Sequence, residues 1–175
     1  MTKWSSGRPT AMRIHILRHG IAETPAFGAR DADRALTPEG KKKLRTVVRV
    51  AREAGVSPTL ILTSPYRRAV ETAELAASIL GCQDKIIRTD ALEPGRAPDQ
   101  VWDEIRLHSS EREILLAGHE PLLGYLTGFL LGVPSLLIDL KKGSLVRIDM
   151  DHVGLRPRGV LRWYLTPKLA ISCRE

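Results

Sequence analysis

Three continuous apolar runs stand out along the chain, and each stops abruptly at a turn-forming polar residue or glycine. Short runs of this kind, rich in Ile, Leu and Val, are typical of strands buried on both faces of a sheet. The pattern therefore predicts buried strands over residues 12–20, 59–63 and 113–118.

The stretches between these runs show helical periodicity. Thr37-Pro38-Glu39 offers a capping hydroxyl, a proline for the first helical position and an acid in the first turn, and Gly55 marks the end of that helix. Asp99 is predicted to cap a later helix that runs through Leu107. The remaining predicted elements are helices at about 66–80 and 121–132, a weak strand at 85–89, and strands at 136–140, 145–150 and 159–165, the last two paired antiparallel.

Strands that alternate with helices predict an α/β fold, a three-layer sandwich in which a mainly parallel mixed sheet carries helices on both faces. The length of 175 residues suits one domain, predicted over residues 12–175 after a flexible tail at residues 1–11. In such sheets ligands bind beyond the carboxyl ends of the strands. We therefore expect the residues that follow the three buried strands to share one site.

Composition narrows the class of protein. No apolar window is long enough to span a membrane, and the first ten residues lack the apolar region of a signal peptide, so we expect a cytoplasmic protein. Cys82 and Cys173 do not indicate a disulfide framework. The net charge of +7 arises largely between Lys141 and the carboxyl terminus, where the basic residues are dispersed. That dispersion favours a solvated basic face over nucleic-acid binding, which needs a continuous platform.

The predicted edge of the sheet collects imidazole and guanidinium groups. Arg18-His19-Gly20, Ser64-Pro65-Tyr66-Arg67-Arg68 and Gly118-His119-Glu120 follow the three buried strands. Arginine matches phosphate oxygens in a bidentate way, and histidine can form a covalent phosphohistidine. Since the chain has no serine or cysteine nucleophile motif, these groups suit a phosphoryl group better than a carbonyl or a metal.

These motifs resemble the histidine phosphatase superfamily, which also contains the cofactor-dependent phosphoglycerate mutases. The resemblance rests on Arg18-His19-Gly20, Ser64-Pro65-x-x-Arg68-Ala69-x-x-Thr72-Ala73 and Gly118-His119, and covers about residues 12–165. The short chain, Arg34-x-Leu36-Thr37-x-x-Gly40 and Gly118-His119-Glu120-Pro121-Leu122 look most like the small SixA-type phosphohistidine phosphatases. The resemblance implies a phosphoglycerate mutase-like fold and an activity that requires no cofactor.

The resemblance also implies roles for individual residues. His19 would be the nucleophile, Arg18 and Arg68 would clamp the phosphate, and His119 would hold the phosphoryl oxygens. Arg34 would also reach the phosphate, while Arg67 lies off the motif and is expected in solvent. The implied activity is hydrolysis of phosphohistidine on a partner protein in a signalling phosphorelay.

Several alternatives stay open from the sequence. Glu93 is the nearest candidate for a general acid, although an imidazole leaving group needs less help from an acid than an alkoxide does. A zinc site built from His15, His19 and His119 is disfavoured because the neighbouring arginines would repel the cation, and His15 is expected inside the fold. The rival functions are a phosphatase or mutase acting on small phosphate esters and a non-catalytic module that binds a phosphoprotein.

Overall fold

A computed structural model describes residues 11–25 and 27–173 of the chain. Within them the strands form a single mixed sheet in the order β3-β2-β4-β1-β5-β6, in which only β5 runs against the others. In chain order the strands are β1 (Met12–Arg18), β2 (Leu60–Thr63), β3 (Ile86–Arg88), β4 (Glu113–Gly118), β5 (Leu145–Met150) and β6 (Gly159–Leu165).

Helices alternate with the parallel strands. They are α1 (Pro38–Glu53), α2 (Arg67–Leu80), α3 (Pro98–Leu107), α4 (Leu122–Leu130) and α5 (Pro167–Ser172). The start of α1 is confirmed as predicted, because the Thr37 hydroxyl accepts a hydrogen bond from the Gly40 amide. Gly81 ends α2 in the left-handed conformation, at φ 78°, which glycine adopts without strain.

Alternation along β1 divides the core into two layers. Ile14 and Ile16 point to one face and pack with apolar residues of α3 and α4, while Leu17 points to the other and packs with residues of α1 and α2. All three are fully buried. The predicted α/β sandwich, with helices on both faces of a mainly parallel sheet, is therefore confirmed.

The predicted strand at 136–140 is wrong, because this segment runs as irregular backbone along α4. Gly124 and Gly128 allow the close approach: a Cβ atom at Gly124 would lie 2.4 Å from the carbonyl oxygen of Ile138, and one at Gly128 would lie 2.9 Å from that of Leu136. Some of the apolar side chains that suggested a strand face solvent, and Leu137 is 83% exposed.

The predicted cap of α3 is also wrong. The helix begins at Pro98, so Asp99 lies inside the first turn and Ala97 occupies the cap position. The amide of Ala97 donates instead to the side-chain oxygen of Gln100, at 3.1 Å. Because proline favours the first helical position, the cap lies two residues earlier than the acid suggested.

The basic residues near the carboxyl terminus are only partly free. Arg147 and Arg162 both pair with the buried carboxylate of Asp149, at 2.8 and 2.9 Å. This pairing leaves less uncompensated positive charge on this face than composition alone indicated. The predicted tail lies outside the described residues except for Ala11, and no helix among the described residues is long and apolar enough to cross a membrane.

Candidate active site

Strand register brings the three predicted motifs to one edge of the sheet. Arg18 pairs with Gly118 across β1 and β4, and Thr63 pairs with Ala117 across β2 and β4. The residues that follow these strands, His19, Ser64 and His119, therefore lie close together at the carboxyl edge of the sheet. The His19 amide donates to the Gly118 carbonyl at 3.0 Å, and the imidazole centroids of His19 and His119 lie 5.1 Å apart.

The turn after β1 is clamped by the start of α1. A Cβ atom at Gly40 would lie 2.3 Å from the carbonyl oxygen of Ile21, so only glycine allows the helix to approach this closely. The Thr37 amide also donates to the Ile21 carbonyl, and the Gly20 amide donates to the hydroxyl of Thr72 on α2. His19 is therefore fixed through the backbone on both sides.

The hydrogen bonds of His19 determine its tautomer. Its Nδ1 atom lies 2.7 Å from the Gly20 carbonyl oxygen, which can only accept, so Nδ1 carries the proton. The Nε2 atom then carries the lone pair, and Nε of Arg68 donates to it at 3.3 Å. His19 is 7% exposed, so an unprotonated imidazole nitrogen lies largely buried beside a cation, as a nucleophile would require.

Arg68 is itself held on several sides. Its Nη1 atom donates to the backbone oxygen of Asp31 at 2.7 Å, and its Nη2 atom donates to the Asp31 carboxylate at 2.9 Å. The guanidinium also lies over the ring of Tyr66, 5.1 Å from the centroid. These contacts fix the plane of the guanidinium next to His19.

His119 is oriented by the serine that follows β2. Its Nε2 atom lies 2.8 Å from the hydroxyl of Ser64, and that oxygen also accepts from the Tyr66 amide at 3.3 Å. A hydroxyl has one proton to donate, and among the described residues the acceptor within reach of the Ser64 proton is Nε2 of His119, so the ring proton of His119 lies on Nδ1. That Nδ1 atom is buried and has no hydrogen-bond partner among the described residues.

Arg18 reaches the site from the end of β1. Its Nη1 atom donates to the carbonyl of Leu140, while its buried Nε atom has no partner within the described part of the chain. Leu140 is held in turn by Glu120, whose carboxylate accepts from the Leu140 amide at 3.1 Å. The segment mistaken for a strand thus supports a guanidinium of the site.

The electrostatic environment keeps both imidazoles neutral. Burial, with the nearby charges of Arg68, Arg18 and Lys142, lowers the pKa of His19 to about 4 against an opposing hydrogen bond to Gly20. Burial, followed by the neighbouring His19 and Arg68, lowers the pKa of His119 to about 3. At neutral pH the site therefore combines two uncharged imidazoles with two permanent cations, a combination suited to an anion.

The remaining predicted residues lie further from this centre. Arg34 donates to the Asp31 carboxylate and to the Glu23 carbonyl, at 2.9 and 2.6 Å, so it joins the site through Asp31. Glu93 follows β3 and pairs with Arg96 at 3.5 Å, and neither this ion pair nor the backbone hydrogen bonds of Glu93 reach the two imidazoles. Arg67 is 60% exposed at its side chain and pairs with a glutamate one turn along α2, as expected for a solvated residue.

His15 lies in the interior, as the sequence predicted. It is fully buried, and its Nε2 atom is 3.0 Å from the carboxylate of Glu113 at the opposite end of β4 from His119. His15, which the disfavoured zinc alternative grouped with His19 and His119, therefore lies away from the other two. Across residues 11–25 and 27–173, no group of three or more His, Cys, Asp or Glu side chains is arranged to hold a metal ion.

Comparisons with known proteins agree with this geometry. Residues 14–93 match the model of the histidine phosphatase superfamily, branch 1. The chain belongs to this superfamily. An uncharacterised protein of Picosynechococcus sp. is 32% identical over 137 residues, which cover 77% of this chain and 83% of that protein. The phosphohistidine phosphatase SixA of Escherichia coli K12 is 26% identical over 160 residues, 89% of this chain and 94% of SixA.

A solved structure extends the similarity to three dimensions. The protein histidine phosphatase SixA in complex with tungstate superposes with a TM-score of 0.79 at 25% identity, covering 90% of this chain and 98% of that one. The histidine phosphatase fold is thus present over nearly the whole domain. The chain is a phosphatase of this superfamily.

Sequence reasoning missed two residues that organise the site. Ser64 was part of the quoted motif but had no role, although a hydroxyl directly after a buried strand is placed to reach a neighbouring strand end. Asp31 lies outside the three motifs. Its spacing of three residues before Arg34 was the available signal, because a short 3-10 turn at Asp31–Asp33 brings such a pair together.

Proposed function

We propose that this phosphatase acts through a phosphohistidine intermediate on His19, with Arg18, Arg68 and His119 binding the phosphoryl group. The observation that carries the proposal is the contact between Arg68 and His19, which directs a cation at the nitrogen that bears the lone pair. Two further buried polar atoms without described partners, Nε of Arg18 and Nδ1 of His119, are suited to phosphoryl oxygens.

The reaction would proceed in two displacements. Nε2 of His19 attacks phosphorus, the bond from phosphorus to the leaving atom breaks, and water then attacks phospho-His19 to release phosphate and restore the imidazole. As the new bond forms, the ring gains positive charge. The Gly20 carbonyl, which accepts from Nδ1, stabilises that charge.

We propose phosphohistidine on a partner protein as the substrate. An imidazole leaving group can be protonated on its other nitrogen, so it places little demand on a general acid. Glu93 stays the candidate for that role from the sequence, but its recorded partner is Arg96. The similarity to SixA, a phosphohistidine phosphatase by name, supports the same substrate class.

An exposed leucine close in sequence to an Arg18 contact supports a protein substrate over a small one. Leu137 is 83% exposed and lies three residues before Leu140, whose carbonyl binds Arg18. An apolar side chain in this position offers a contact to a folded partner that a small phosphate ester would not use.

Both described cysteines are free, which is consistent with the proposed cytoplasmic location.

The test is phosphate release from a panel of substrates by wild type and His19→Ala. The panel contains a phosphohistidine-bearing protein domain, phosphoglycerate, a sugar phosphate and an aryl phosphate. We expect the phosphohistidine protein to give the highest kcat/KM, with no turnover of any substrate by His19→Ala. Preference for a small ester would replace the proposed substrate, whereas tight binding of the phosphoprotein without phosphate release would indicate a binding module.

A further inference from the structure

The carboxylate of Asp31 joins two arginines that the sequence assigned separately to phosphate. One oxygen accepts from Nη2 of Arg68 at 2.9 Å, and the other accepts from Nη1 of Arg34 at 2.9 Å. The Asp31 backbone oxygen takes a further bond from Arg68, at 2.7 Å. Asp31 therefore determines where both guanidinium groups lie.

The contacts use a particular edge of Arg68. Asp31 occupies the outer edge, formed by Nη1 and Nη2, whereas Nε, on the adjoining side edge, donates to Nε2 of His19. Each terminal nitrogen of a guanidinium carries two protons, so Nη2 keeps one proton for a second acceptor. Nε and Nη2 together form a fork that matches two oxygens of a phosphoryl group bound at Nε2 of His19.

Asp31 is not suited to transfer a proton. Hydrogen bonds from Arg34 and Arg68 hold the pKa of its carboxyl below the ordinary range, against a smaller opposing effect of burial. The group is therefore ionised at neutral pH. Its negative charge offsets part of the positive charge of Arg34 and Arg68. Its hydrogen bonds hold the Arg68 guanidinium beside His19.

We propose that Asp31 is a positioning residue for phosphoryl transfer, holding the outer edge of Arg68 so that its Nε–Nη2 fork faces Nε2 of His19. The proposal deepens the proposed function and rests on it. It adds a residue that acts through Arg68 without touching the substrate. Since Asp31 lies in the loop between β1 and α1, it also explains how that loop contributes to catalysis.

The matched control is Asp33, in the same short turn. Its carboxylate pairs with Arg30 at the surface and, within the described part of the chain, makes no hydrogen bond to Arg68 or Arg34. The substitutions Asp31→Asn and Asp33→Asn remove the same charge two residues apart. Near-ultraviolet circular dichroism checks that both variants keep the native packing.

The experiment is a double-mutant cycle between Asp31→Asn and Arg68→Ala, with kcat/KM measured on a phosphohistidine-bearing protein. We expect Asp31→Asn to lower kcat/KM by about tenfold in the wild-type background and by less than about twofold with Arg68→Ala, because coupled residues are not additive. Asp33→Asn should stay at the wild-type value. An equal loss in both backgrounds, or no loss at all, would overturn the proposal.

A second readout does not depend on turnover. Calorimetric titration with orthovanadate, an analogue of the phosphoryl transition state, should show weaker binding to Asp31→Asn than to Asp33→Asn, and no further loss in the Arg68→Ala background. Tighter binding to Asp31→Asn would mean that the carboxylate merely competes with the anion, and would also overturn the proposal. A wild-type protein without turnover would refute the proposed function, and the titration would still decide the role of Asp31.

Discussion

The Nε atom of Arg68 lies 3.3 Å from Nε2 of His19, so a buried guanidinium donates to the lone pair of a buried imidazole. A protonated imidazole could not accept this bond, and it would also be repelled by the cation. The contact therefore keeps His19 in the neutral form that the proposed attack on phosphorus requires. It also places the cation where negative charge of a bound phosphoryl group would lie.

The protonation state of His19 should be visible by NMR. Because the pKa of this residue is lowered to about 4, its ring should stay neutral, with the proton on Nδ1, from pH 8 down to pH 5. Ring nitrogen shifts of labelled protein check this, with His19→Gln to assign the signals. Protonation near pH 6.5, the value of an unperturbed histidine, would contradict the account.

Loss of the Ser64 hydroxyl should release His119. Ser64→Ala removes the bond to Nε2 of His119, and we expect kcat to fall by about tenfold as the ring loses its orientation. Ser78→Ala is the control, since the Ser78 hydroxyl donates to the Leu75 carbonyl of its own helix and the residue is exposed. Equal kcat values for the two variants would show that Ser64 does not orient His119.

His119 should also make the protein sensitive to acid. Its pKa is lowered to about 3, so between pH 6.5 and 3 the unfolded chain binds a proton that the folded chain does not. The free energy of unfolding therefore falls as the pH falls. From pH 6.5 to 4.5 this amounts to about 2 to 3 kcal/mol, and His119→Gln should remove that part of the slope. Urea denaturation at both pH values measures it, and identical slopes would refute the assignment.

The fold was predictable because its local signals agree. The apolar runs of β1, β2 and β4, the Thr37 cap and Gly81 all act within a few residues, so each can be recognised without knowledge of the partner. The segment at 136–140 failed for the opposite reason. Its path depends on Gly124 and Gly128 of a neighbouring helix and on Glu120, none of which alters its own apolar pattern.

The residues of the candidate site also fall into a part that the sequence predicted and a part that it did not. The carboxyl-end rule brought Arg18, His19 and His119 together from the sequence, because strand ends converge in any parallel sheet. The contacts of Ser64 with His119 and of Asp31 with Arg68 could not be predicted, since they depend on side-chain directions across different elements, whereas the local pair of Asp31 and Arg34 had a signal in its spacing. Those contacts set the tautomer of one imidazole and the plane of one guanidinium.

The exposed Leu137 offers a test of protein against small substrates. Leu137→Ser should lower kcat/KM for a phosphohistidine protein by about tenfold, because the loss corresponds to a fraction of the free energy gained by burying one leucine side chain. The kcat/KM for an aryl phosphate should not change. Leu155→Ser is the matched control, because Leu155 is 82% exposed and follows β5 at the opposite edge of the sheet. A parallel loss on both substrates would argue against a docking contact.

The most direct test is to trap the covalent intermediate. Wild type is mixed rapidly with a substrate carrying radioactive phosphate, quenched in alkali, and mapped by peptide analysis. The account predicts an acid-labile phosphohistidine at His19 that forms and decays at rates consistent with kcat and is absent from His19→Ala. Labelling at another residue, or full turnover by His19→Ala, would contradict it.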